Sequence, residues 1–300
     1  MLKWLLASIE RSAKWLNGVL IPSTGLFMAN IELNITTTHN RLHLCAQTVW
    51  SFLNQTLLPT KINIWVSKEP YLIDKGIQEE PAWARELRKI NDIIEFRWTE
   101  NTGPYRKLFP ALQATSEDTI LVYADDDTIY KSRWLEKLIG KFNAHDGKYV
   151  VASRCRELGK PSWAGKKSYM LLSLVRKEKV LQENFLVTGV GGVVLRASHI
   201  AEEFWSNTDF LRVCPKTDDV WISKILEKSG SSVVTCPEAN EELLFIEHSF
   251  ALSHTNKLKS RGLRKQLNKL KVQTLGRWGF PVCNNDHAIR AVDSYFAERS

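Results

Sequence analysis

Three aspartates stand side by side in the stretch LVYADDDTIY, which covers residues 121–130. The apolar residues before them are typical of a buried strand, so Asp125, Asp126 and Asp127 are expected at the end of that strand. Three neighbouring carboxylates repel one another unless an opposite charge neutralises them. Mg²⁺ and Mn²⁺ prefer oxygen ligands and bind through one or two carboxylates together with substrate phosphates. The triplet therefore predicts a divalent-metal site, with a polar turn that caps the next helix as the alternative.

A second acidic pair, Asp218 and Asp219, opens the predicted helix DDVWISKIL. Negative charge at a helix N-terminus is favourable by itself, so capping accounts for one of the two. The other carboxylate could act as a general base if it came within hydrogen-bond distance of a reacting hydroxyl group. The pair predicts a proton acceptor, and capping alone is the alternative.

The elements that must position these carboxylates alternate in type through the first half of the chain. Apolar, β-branched runs predict strands at 31–38, 61–67, 93–98, 119–124 and 148–154, and helical spacing predicts helices at 42–55, 81–90, 107–115 and 132–144. This order predicts a mainly parallel sheet with helices on both faces, which binds ligands beyond the carboxyl ends of its strands. After residue 155 the pattern loosens into a long loop at 156–170, two apolar segments broken by glycines at 185–198, a helix at 218–230 and a short strand at 231–237.

Size and composition fit an ordinary globular protein. The chain has 300 residues with 44% hydrophobic content, enough for one large α/β domain or two small ones. Its five cysteines include no C-x-x-C pair, which argues against a disulfide framework or a zinc site and favours a reducing cytosol.

Both ends of the chain suggest contact with a charged surface. Residues 1–29 combine leucines at helical spacing with basic residues, which predicts an amphipathic helix that either lies in a membrane interface or packs on the domain. The net charge is +8, and no acidic residue occurs between Glu247 and Asp286. The basic residues of that segment are Lys257, Lys259, Arg261, Arg264, Lys265, Lys269, Lys271 and Arg277. They predict a partner such as an anionic membrane surface, whereas the absence of a nucleic-acid reader motif argues against nucleic acid.

Six segments together resemble the GT-A fold glycosyltransferases, in particular the bacterial family 2-like group, over residues 30–250. The segments are ITTTHNR (35–41), FLNQTLLPTKINIWVS (52–67), GPYRKLFPAL (103–112), VYADDDTIY (122–130), TGVGGVVL (188–195) and TDDVWISKIL (217–226). The resemblance implies a GT-A type single-domain Rossmann-like α/β sandwich with a mainly parallel central sheet. The predicted organisation is an N-terminal helical segment at 1–29, the transferase domain at 30–250 and a basic helical region at 251–300.

In such enzymes a D-x-D signature holds the metal that bridges the two phosphates of a nucleotide-sugar. The resemblance therefore assigns Mn²⁺ or Mg²⁺ to Asp127, with Asp125 facing the ribose or a metal-bound water and Asp126 as the less defined middle residue. Arg106 and Lys107 would add positive charge near the diphosphate, and solvent-facing helix starts are the alternative for both. His254 could complete the metal site, although loop histidines are common.

The end of the first strand resembles the nucleotide-base pocket of this family, with Thr37 and Arg41 around an aromatic position. His39 occupies that position instead of the more usual tyrosine, and its imidazole could still stack on a base. Many relatives carry an acidic base reader at the end of the second strand, whereas this chain has Ser67. The resemblance favours uridine and leaves the base open.

The glycine-rich VTGVGG segment would lie beneath the sugar and the acceptor, which implicates Gly191 and Gly192 in nucleotide-sugar binding. A β-bulge or a turn with positive φ is the alternative. The resemblance also makes Asp219 the general base and Asp218 its acceptor-binding neighbour.

The expected activity is an inverting transfer of a sugar from a nucleotide-sugar, first of all a UDP-sugar, to a hydroxyl of a glycan or lipid-linked glycan. Synthesis of bacterial surface polysaccharide at the inner face of the membrane would fit this activity. Three other functions remain open from the residues alone: a haloacid dehalogenase-type phosphohydrolase, a two-carboxylate glycosidase, and a non-catalytic nucleotide- or carbohydrate-binding domain.

Overall fold

Strands and helices alternate through the first half of the chain, as the sequence predicts. The computed structural model describes residues 30–159, 162–247 and 263–299. The strands of this half are β1 Ile31–Thr36, β2 Lys61–Val66, β3 Ile94–Trp98, β4 Ile120–Tyr123, β5 Thr128–Tyr130 and β6 Val150–Ala152. Its helices are α1 Leu42–Leu53, α2 Ala82–Ile90, α3 Phe109–Ala114 and α4 Trp134–Ala144.

The second half contains shorter elements, several of which fall where the sequence predicted only loops. Its strands are β7 Cys155–Glu157, β8 Val180–Leu181, β9 Phe185–Val187, β10 Val193–Leu195, β11 Val233–Thr235 and β12 Leu243–Phe245. Its helices are α5 Glu202–Trp205, α6 Asp209–Val213, α7 Asp218–Lys228, α8 Pro237–Asn240, α9 Leu263–Trp278 and α10 Asn284–Ala297. The predicted amphipathic helix at 1–29 lies outside the described residues.

Eight strands form the central sheet, in the order β3-β2-β1-β4-β10-β6-β11-β8. The first four in this order pair in parallel, and β6 pairs in parallel with β11. Strand β10 inserts antiparallel between β4 and β6, and β8 is an antiparallel edge strand. The sheet is therefore mainly parallel, which confirms the predicted α/β class.

Strand β4 explains why the apolar run before the aspartates is continuous. Leu121 and Tyr123 pack into the hydrophobic cluster on one face of the sheet, while Ile120 and Val122 pack into the cluster on the other. Because helices cover both faces, every residue of the strand is buried. Burying one such side chain contributes about 1.5–3 kcal/mol, so this packing firmly fixes the point at which the strand ends and Asp125 begins.

An aromatic stack supports the loops that follow β4 and β9. The ring of Phe52 in α1 stacks on Tyr130 at 5.0 Å and on Trp134 at 5.7 Å between centroids. Trp134 Nε1 donates a 2.8 Å hydrogen bond to the carbonyl of Gly191. The stack thereby connects the aspartate loop, which ends in Tyr130, to the glycine-rich loop.

The C-terminal helix α10 is part of the folded core. Tyr295 and Phe296 pack on Trp221 of α7, with ring centroids 5.2 and 5.3 Å away. Helix α9 precedes α10 and exposes Leu270, Leu275 and Trp278. Within the described ranges, none of the helices is both long enough and apolar enough to cross a lipid bilayer.

Candidate active site

The aspartate triplet lies in the loop between β4 and β5, at the carboxyl end of the parallel strands. The hydroxyl of Tyr130 accepts a 3.2 Å hydrogen bond from the backbone N–H of Asp125 and lies 3.1 Å from the carbonyl of Val190, to which it donates. This hydroxyl fixes the backbone of the aspartate loop against the glycine-rich loop. The ligand-binding edge predicted for the sheet is therefore where the carboxylates lie.

Arg41 neutralises one side of the triplet. It lies in the 3-10 turn His39–Arg41 after β1, and its guanidinium forms an ion pair with Asp126 and a second, 2.7 Å pair with Asp127. Burial raises the pKa of Asp126 to about 7, with Arg41 opposing the shift and Asp127 adding to it. Asp126 is 2% exposed, so it is the inner member of the triplet that anchors Arg41.

Lys107 neutralises the other side and connects two elements. Its ammonium nitrogen lies 2.7 Å from Asp125 Oδ1 and 2.9 Å from Asp218 Oδ2, and the side chain is almost fully buried. Burial alone would lower the pKa of Lys107, but the charges of Asp125 and Asp218 raise it well above its usual value. The lysine is therefore permanently charged and holds the start of α7 against the aspartate loop.

Asp219 is positioned by the glycine-rich loop. The backbone N–H of Gly189 donates a 2.9 Å hydrogen bond to Asp219 Oδ1. Burial, followed by the negative charge of Asp218, raises the pKa of Asp219 to about 8. A Cβ on Gly189 would lie 2.5 Å from Lys107 Nζ and 3.2 Å from Asp125 Oδ1, so a larger residue there would displace the lysine from its two carboxylates. The arrangement leaves a carboxyl group with a raised proton affinity beside the buried lysine.

The structure adds two protein cations to the account of how the triplet tolerates its own repulsion. The sequence assigned that task to a divalent ion, and it assigned Arg41 and Lys107 to the nucleotide-sugar. In the structure these two cations are already paired with Asp125, Asp126 and Asp127. Burial also raises the pKa of Asp126, so proton binding relieves part of the remaining charge.

Arg106 is committed to a buried ion pair away from the triplet. Its Nη2 lies 2.9 Å from Asp74 Oδ2 and donates to the carbonyl of Thr37 at 3.1 Å, and the side chain is 1% exposed. Asp74 Oδ1 accepts a 3.2 Å hydrogen bond from the backbone N–H of His39. Arg106 therefore supports the loop of the predicted base pocket, and its predicted contact with the nucleotide-sugar stays a prediction.

Sequence reasoning missed Asp74. It lies in an irregular segment between β2 and α2, where neither strand nor helix periodicity singles it out. The only local signal is Gly76, which has φ of +81° and donates its N–H to Asp74 Oδ1 at 3.1 Å. A glycine two residues after an aspartate is typical of a tight turn and does not by itself indicate a role in a site.

The other residues of the predicted base pocket occupy different environments. His39 is exposed at the loop surface, whereas Thr37 and Ser67 are buried. Ser67 Oγ accepts a 3.1 Å hydrogen bond from the N–H of Glu69, which closes the turn after β2. Among these three, His39 is the side chain available for stacking on a planar ligand.

Gly191 and Gly192 are required by packing within the protein. A Cβ on Gly191 would overlap Ser153 Oγ and the stem of Arg154, and one on Gly192, whose φ is +90°, would overlap the ring of Trp134. The space that a side chain would need is filled by the protein's own atoms. Their predicted place beneath the sugar stays a prediction, and Gly189 is the glycine that contacts the carboxylate cluster.

Three residues are predicted metal ligands: Asp125, Asp127 and His254. His254 lies outside the described residues. Within the part of the chain that the structure describes, no three His, Cys, Asp or Glu side chains converge as a ready-made metal cage. Hard oxygen donors are present at Asp125 and Asp127, which are both partly accessible. Such a pair suits a cation that completes its shell with phosphate oxygens and water.

Comparison with known protein families identifies the chain. The model of glycosyl transferase family 2 matches residues 35–201, which is more than half of the 300 residues. The chain belongs to glycosyl transferase family 2. The match covers the end of β1, the aspartate loop and the glycine-rich loop, so it confirms the resemblance and the GT-A type of fold. This glycosyltransferase is therefore an enzyme by family, and the phosphohydrolase alternative falls away.

Solved structures of glycosyltransferases are similar to this transferase at low identity. One is GalNAc-T7 with UDP, GalNAc and Mn²⁺, at 13% identity and a TM-score of 0.47 over 81% of this chain and 48% of that one. Another is TarS of S. aureus in complex with UDP, at 13% identity and a TM-score of 0.42 over 69% and 57% of the two chains. A third is the Pyrobaculum calidifontis mannosyltransferase PcManGT with GDP-Man and Mn²⁺, at 13% identity and a TM-score of 0.47 over 98% and 81%.

The transferase spans about half the length of the first of these structures, with 48% of that chain covered. No curated protein sequence matches it.

Proposed function

We propose that the protein is a metal-dependent inverting transferase that moves a hexose from a nucleotide-sugar to a hydroxyl of a glycan or lipid-linked glycan. The observation that carries the proposal is the meeting of five carboxylates with two cations at the ligand-binding edge of the sheet. The carboxylates are Asp125, Asp126, Asp127, Asp218 and Asp219, and the cations are Arg41 and Lys107. Asp219 joins the cluster through its interactions with Asp218 and Lys107.

The charge of this cluster favours binding of a divalent cation. Five carboxylates exceed two protein cations by three formal charges, and the pKa of Asp126, Asp218 and Asp219 is raised in response, with burial as the first cause. Asp127, with Asp125, would hold Mn²⁺ or Mg²⁺ through hard oxygen atoms. When bound, such a cation stabilises the negative charge that develops on a departing diphosphate.

Asp219 is the group that we propose to remove the proton from the acceptor hydroxyl. The Gly189 N–H binds Oδ1 and orients the carboxyl group, and Oδ2 would receive the proton. Attack from the face opposite the nucleotide inverts the configuration at the anomeric carbon without a covalent enzyme intermediate. Asp218, which is held by Lys107 at 2.9 Å, would position the acceptor beside the base.

The nucleotide base would stack on the exposed imidazole of His39, with uridine as the first choice. The loop that carries His39 is held by the buried Asp74–Arg106 pair, so it is rigid enough to present the ring in one orientation. Thr37 and Arg41 flank this position along the chain. Ser67 is buried in its turn, so we expect it to shape the pocket through the backbone rather than to read the base.

We also propose that the enzyme works at an anionic membrane surface, such as the inner face of a bacterial membrane during synthesis of surface polysaccharide. A surface patch of three exposed aromatic side chains, Trp163, Trp278 and Phe280, supports this proposal. The ring centroid of Trp163 lies 6.2 Å from that of Trp278 and 5.5 Å from that of Phe280. Lys271 and Arg277 are exposed on the same helix as Trp278. Aromatic rings next to basic residues suit the boundary between lipid head groups and acyl chains.

Sedimentation with vesicles tests the membrane proposal. The chain is expected to co-sediment with vesicles that contain anionic lipid and to release as salt rises, because the attraction is electrostatic in part. The W163S/W278S double variant should bind less well and should still fold, because both rings are exposed. Equal binding to neutral and anionic vesicles would contradict the proposal.

A thermal-shift screen of UDP-, GDP-, CMP- and dTDP-sugars, with and without Mn²⁺, tests the proposed activity. A ligand that binds only the folded state raises the melting temperature, by an amount that grows with its concentration over Kd. We expect one nucleotide class, first of all UDP, to stabilise the protein only when Mn²⁺ is present. No shift with any nucleotide would overturn the proposal.

A further inference from the structure

Two arginines lie beside the proposed base on one face of a strand. Arg154 and Arg156 flank Cys155 at the start of β7, and Cys155 is fully buried in the core. Because side chains alternate along a strand, both arginines project to the face opposite Cys155. Each is half-buried, and the charge of Arg156 is close enough to act on Arg154.

Neutral groups hold the two guanidinium groups in place. Arg154 Nη1 donates a 3.0 Å hydrogen bond to Asn240 Oδ1, and its guanidinium lies 5.5 Å from the ring centroid of Phe245. Arg156 Nη1 donates to the carbonyl of Leu172, and its guanidinium lies 4.9 Å from the ring centroid of Tyr169. The direct contacts that orient the two side chains are therefore with neutral groups rather than with a carboxylate.

Neither guanidinium of this pair forms an ion pair with a carboxylate of the described residues. Arg41, Arg88 and Arg106 each form an ion pair with a carboxylate, whereas neither Arg154 nor Arg156 does. Burial, and then the charge of Arg156, lower the pKa of Arg154. Two like charges that are partly removed from water are costly unless an anion joins them.

The position of the pair relates it to the acceptor side of the site. The backbone N–H of Thr188 donates to the carbonyl of Arg154 at 3.0 Å, and the next residue, Gly189, binds Asp219. Of the carboxylates, Asp219 is the one whose charge raises the pKa of Arg154. Arg154 is thus joined by its backbone to the loop that orients the proposed base.

We propose that Arg154 and Arg156 bind an anionic group of the acceptor, a phosphate or a carboxylate, close to the hydroxyl that receives the sugar. The proposal rests on the proposed function, because Asp219 defines the acceptor side. Guanidinium groups match both anions through paired N–H donors, and their hydrogen bonds to charged oxygens are strong. The acceptor is accordingly an acidic or phosphate-bearing glycan, or a phosphate-linked lipid glycan, rather than a neutral sugar chain. Gly191 serves this subsite, because a side chain there would collide with the stem of Arg154.

Ligand-observed NMR titrations of the full chain, saturated with UDP and the diamagnetic Mg²⁺, test the subsite with small probes. Glycerol 3-phosphate is compared with glycerol, and methyl glucuronide with methyl glucoside. At least one anionic probe is expected to bind about tenfold or more tightly than its neutral match, which is the effect of one charged hydrogen bond. The anionic probe that binds more tightly than its neutral match shows whether the subsite takes a phosphate or a carboxylate. The R154Q/R156Q variant should abolish the difference.

Control variants separate the possible results. Arg133→Gln, at an exposed arginine whose side chain is 62% accessible, should leave all four affinities unchanged. The UDP-dependent thermal shift reports whether R154Q/R156Q is folded and still binds nucleotide. Equal affinity for anionic and neutral probes overturns the proposal. Loss of UDP binding in a folded R154Q/R156Q also overturns it, because the pair would then serve the donor diphosphate. If the wild-type chain itself shows no nucleotide binding, the proposed function fails instead.

Discussion

Arg41 and Lys107 each hold two carboxylates, but they do so in different ways. Arg41 contacts Asp126 and Asp127, which are neighbours on a single loop. Lys107 contacts Asp125 and Asp218, which come from that loop and from the start of α7. Arg41 thus organises one segment, whereas Lys107 connects the proposed donor side to the proposed acceptor side.

The difference in exposure shows which interaction can change when a ligand binds. The side chain of Asp127 is 17% accessible and that of Lys107 only 5%. A cation and a diphosphate could therefore take over Asp127 from Arg41 with little rearrangement. Lys107 is enclosed, so the distance between Asp125 and the acidic pair of α7 stays fixed. We therefore expect the Arg41–Asp127 ion pair to change when a ligand binds, whereas the contacts of Lys107 with Asp125 and Asp218 should stay as they are.

The largest expected effect concerns the base on the Lys107 side. Asp219→Asn keeps the shape of the side chain and removes its ability to accept a proton, so turnover should fall by about 10²–10⁴. UDP release from the donor in the presence of acceptor measures this, and Mn²⁺-dependent UDP binding should persist. Asp92→Asn, at an exposed aspartate outside the cluster, is the control, with turnover unchanged. An Asp219→Asn variant as active as the wild type would remove the assignment of the base, whereas a wild-type chain without turnover would favour a binding domain.

The next effect compares two lysines that each bridge two carboxylates. Lys107→Met leaves Asp125 and Asp218 without their buried partner, so the free energy of unfolding should fall by about 3–5 kcal/mol. Lys141→Met is the matched control, because Lys141 bridges Glu178 and Glu238, which are 50% and 42% accessible. Its cost should be at most about 1 kcal/mol. Urea unfolding at pH 7 measures both, and equal losses would show that Lys107 has no special structural role.

A pH profile follows from the raised pKa of Asp219. Burial and the charge of Asp218 raise that pKa to about 8, so the carboxyl group of the free enzyme is largely protonated at neutral pH. A general base must be deprotonated, so kcat/KM should rise about tenfold per pH unit below that value and level off above it. Initial rates between pH 6 and 9 measure the profile. A flat profile would be incompatible with Asp219 as the base.

The smallest expected effect is a change in how the free energy of unfolding depends on pH when Arg41 is replaced. The pKa of Asp126 in the folded protein is raised to about 7, so the folded state holds this proton more tightly than the unfolded state. Stability therefore decreases as pH rises from the ordinary range of a carboxyl group toward that value. Arg41→Gln removes the positive charge that keeps the pKa of Asp126 from rising further. Its destabilisation relative to the wild type should therefore grow by about 1–2 kcal/mol between pH 6 and pH 8, since one pKa unit is about 1.4 kcal/mol. A difference that does not vary with pH would contradict the pairing.

Much of the fold could be predicted because periodicity reports burial directly. Strand β2 was expected at 61–67 and occupies Lys61–Val66, and the helix expected at 218–230 begins at Asp218. Periodicity does not report the direction of a strand, so the antiparallel insertion of β10 was not foreseen. The pairing of β5 with β12 was also missed, because each strand has only three residues.

The acidic members of the site could be found from sequence because adjacent carboxylates are unusual. Their partners could not, since an isolated Arg41 or Lys107 has the same local pattern whether it binds a ligand or a neighbouring aspartate. Asp74 and Arg154 were missed for a related reason: their roles depend on contacts between segments far apart in the chain. The sequence therefore located the charges and left their pairing to the three-dimensional structure.

A crystal structure with UDP and Mn²⁺, with data collected at the manganese absorption edge, tests the central claim most directly. The account predicts an anomalous peak that lies between the diphosphate and the carboxylate of Asp127, with Arg41 still paired to Asp126. A nucleotide bound at this edge of the sheet without any such peak would contradict it.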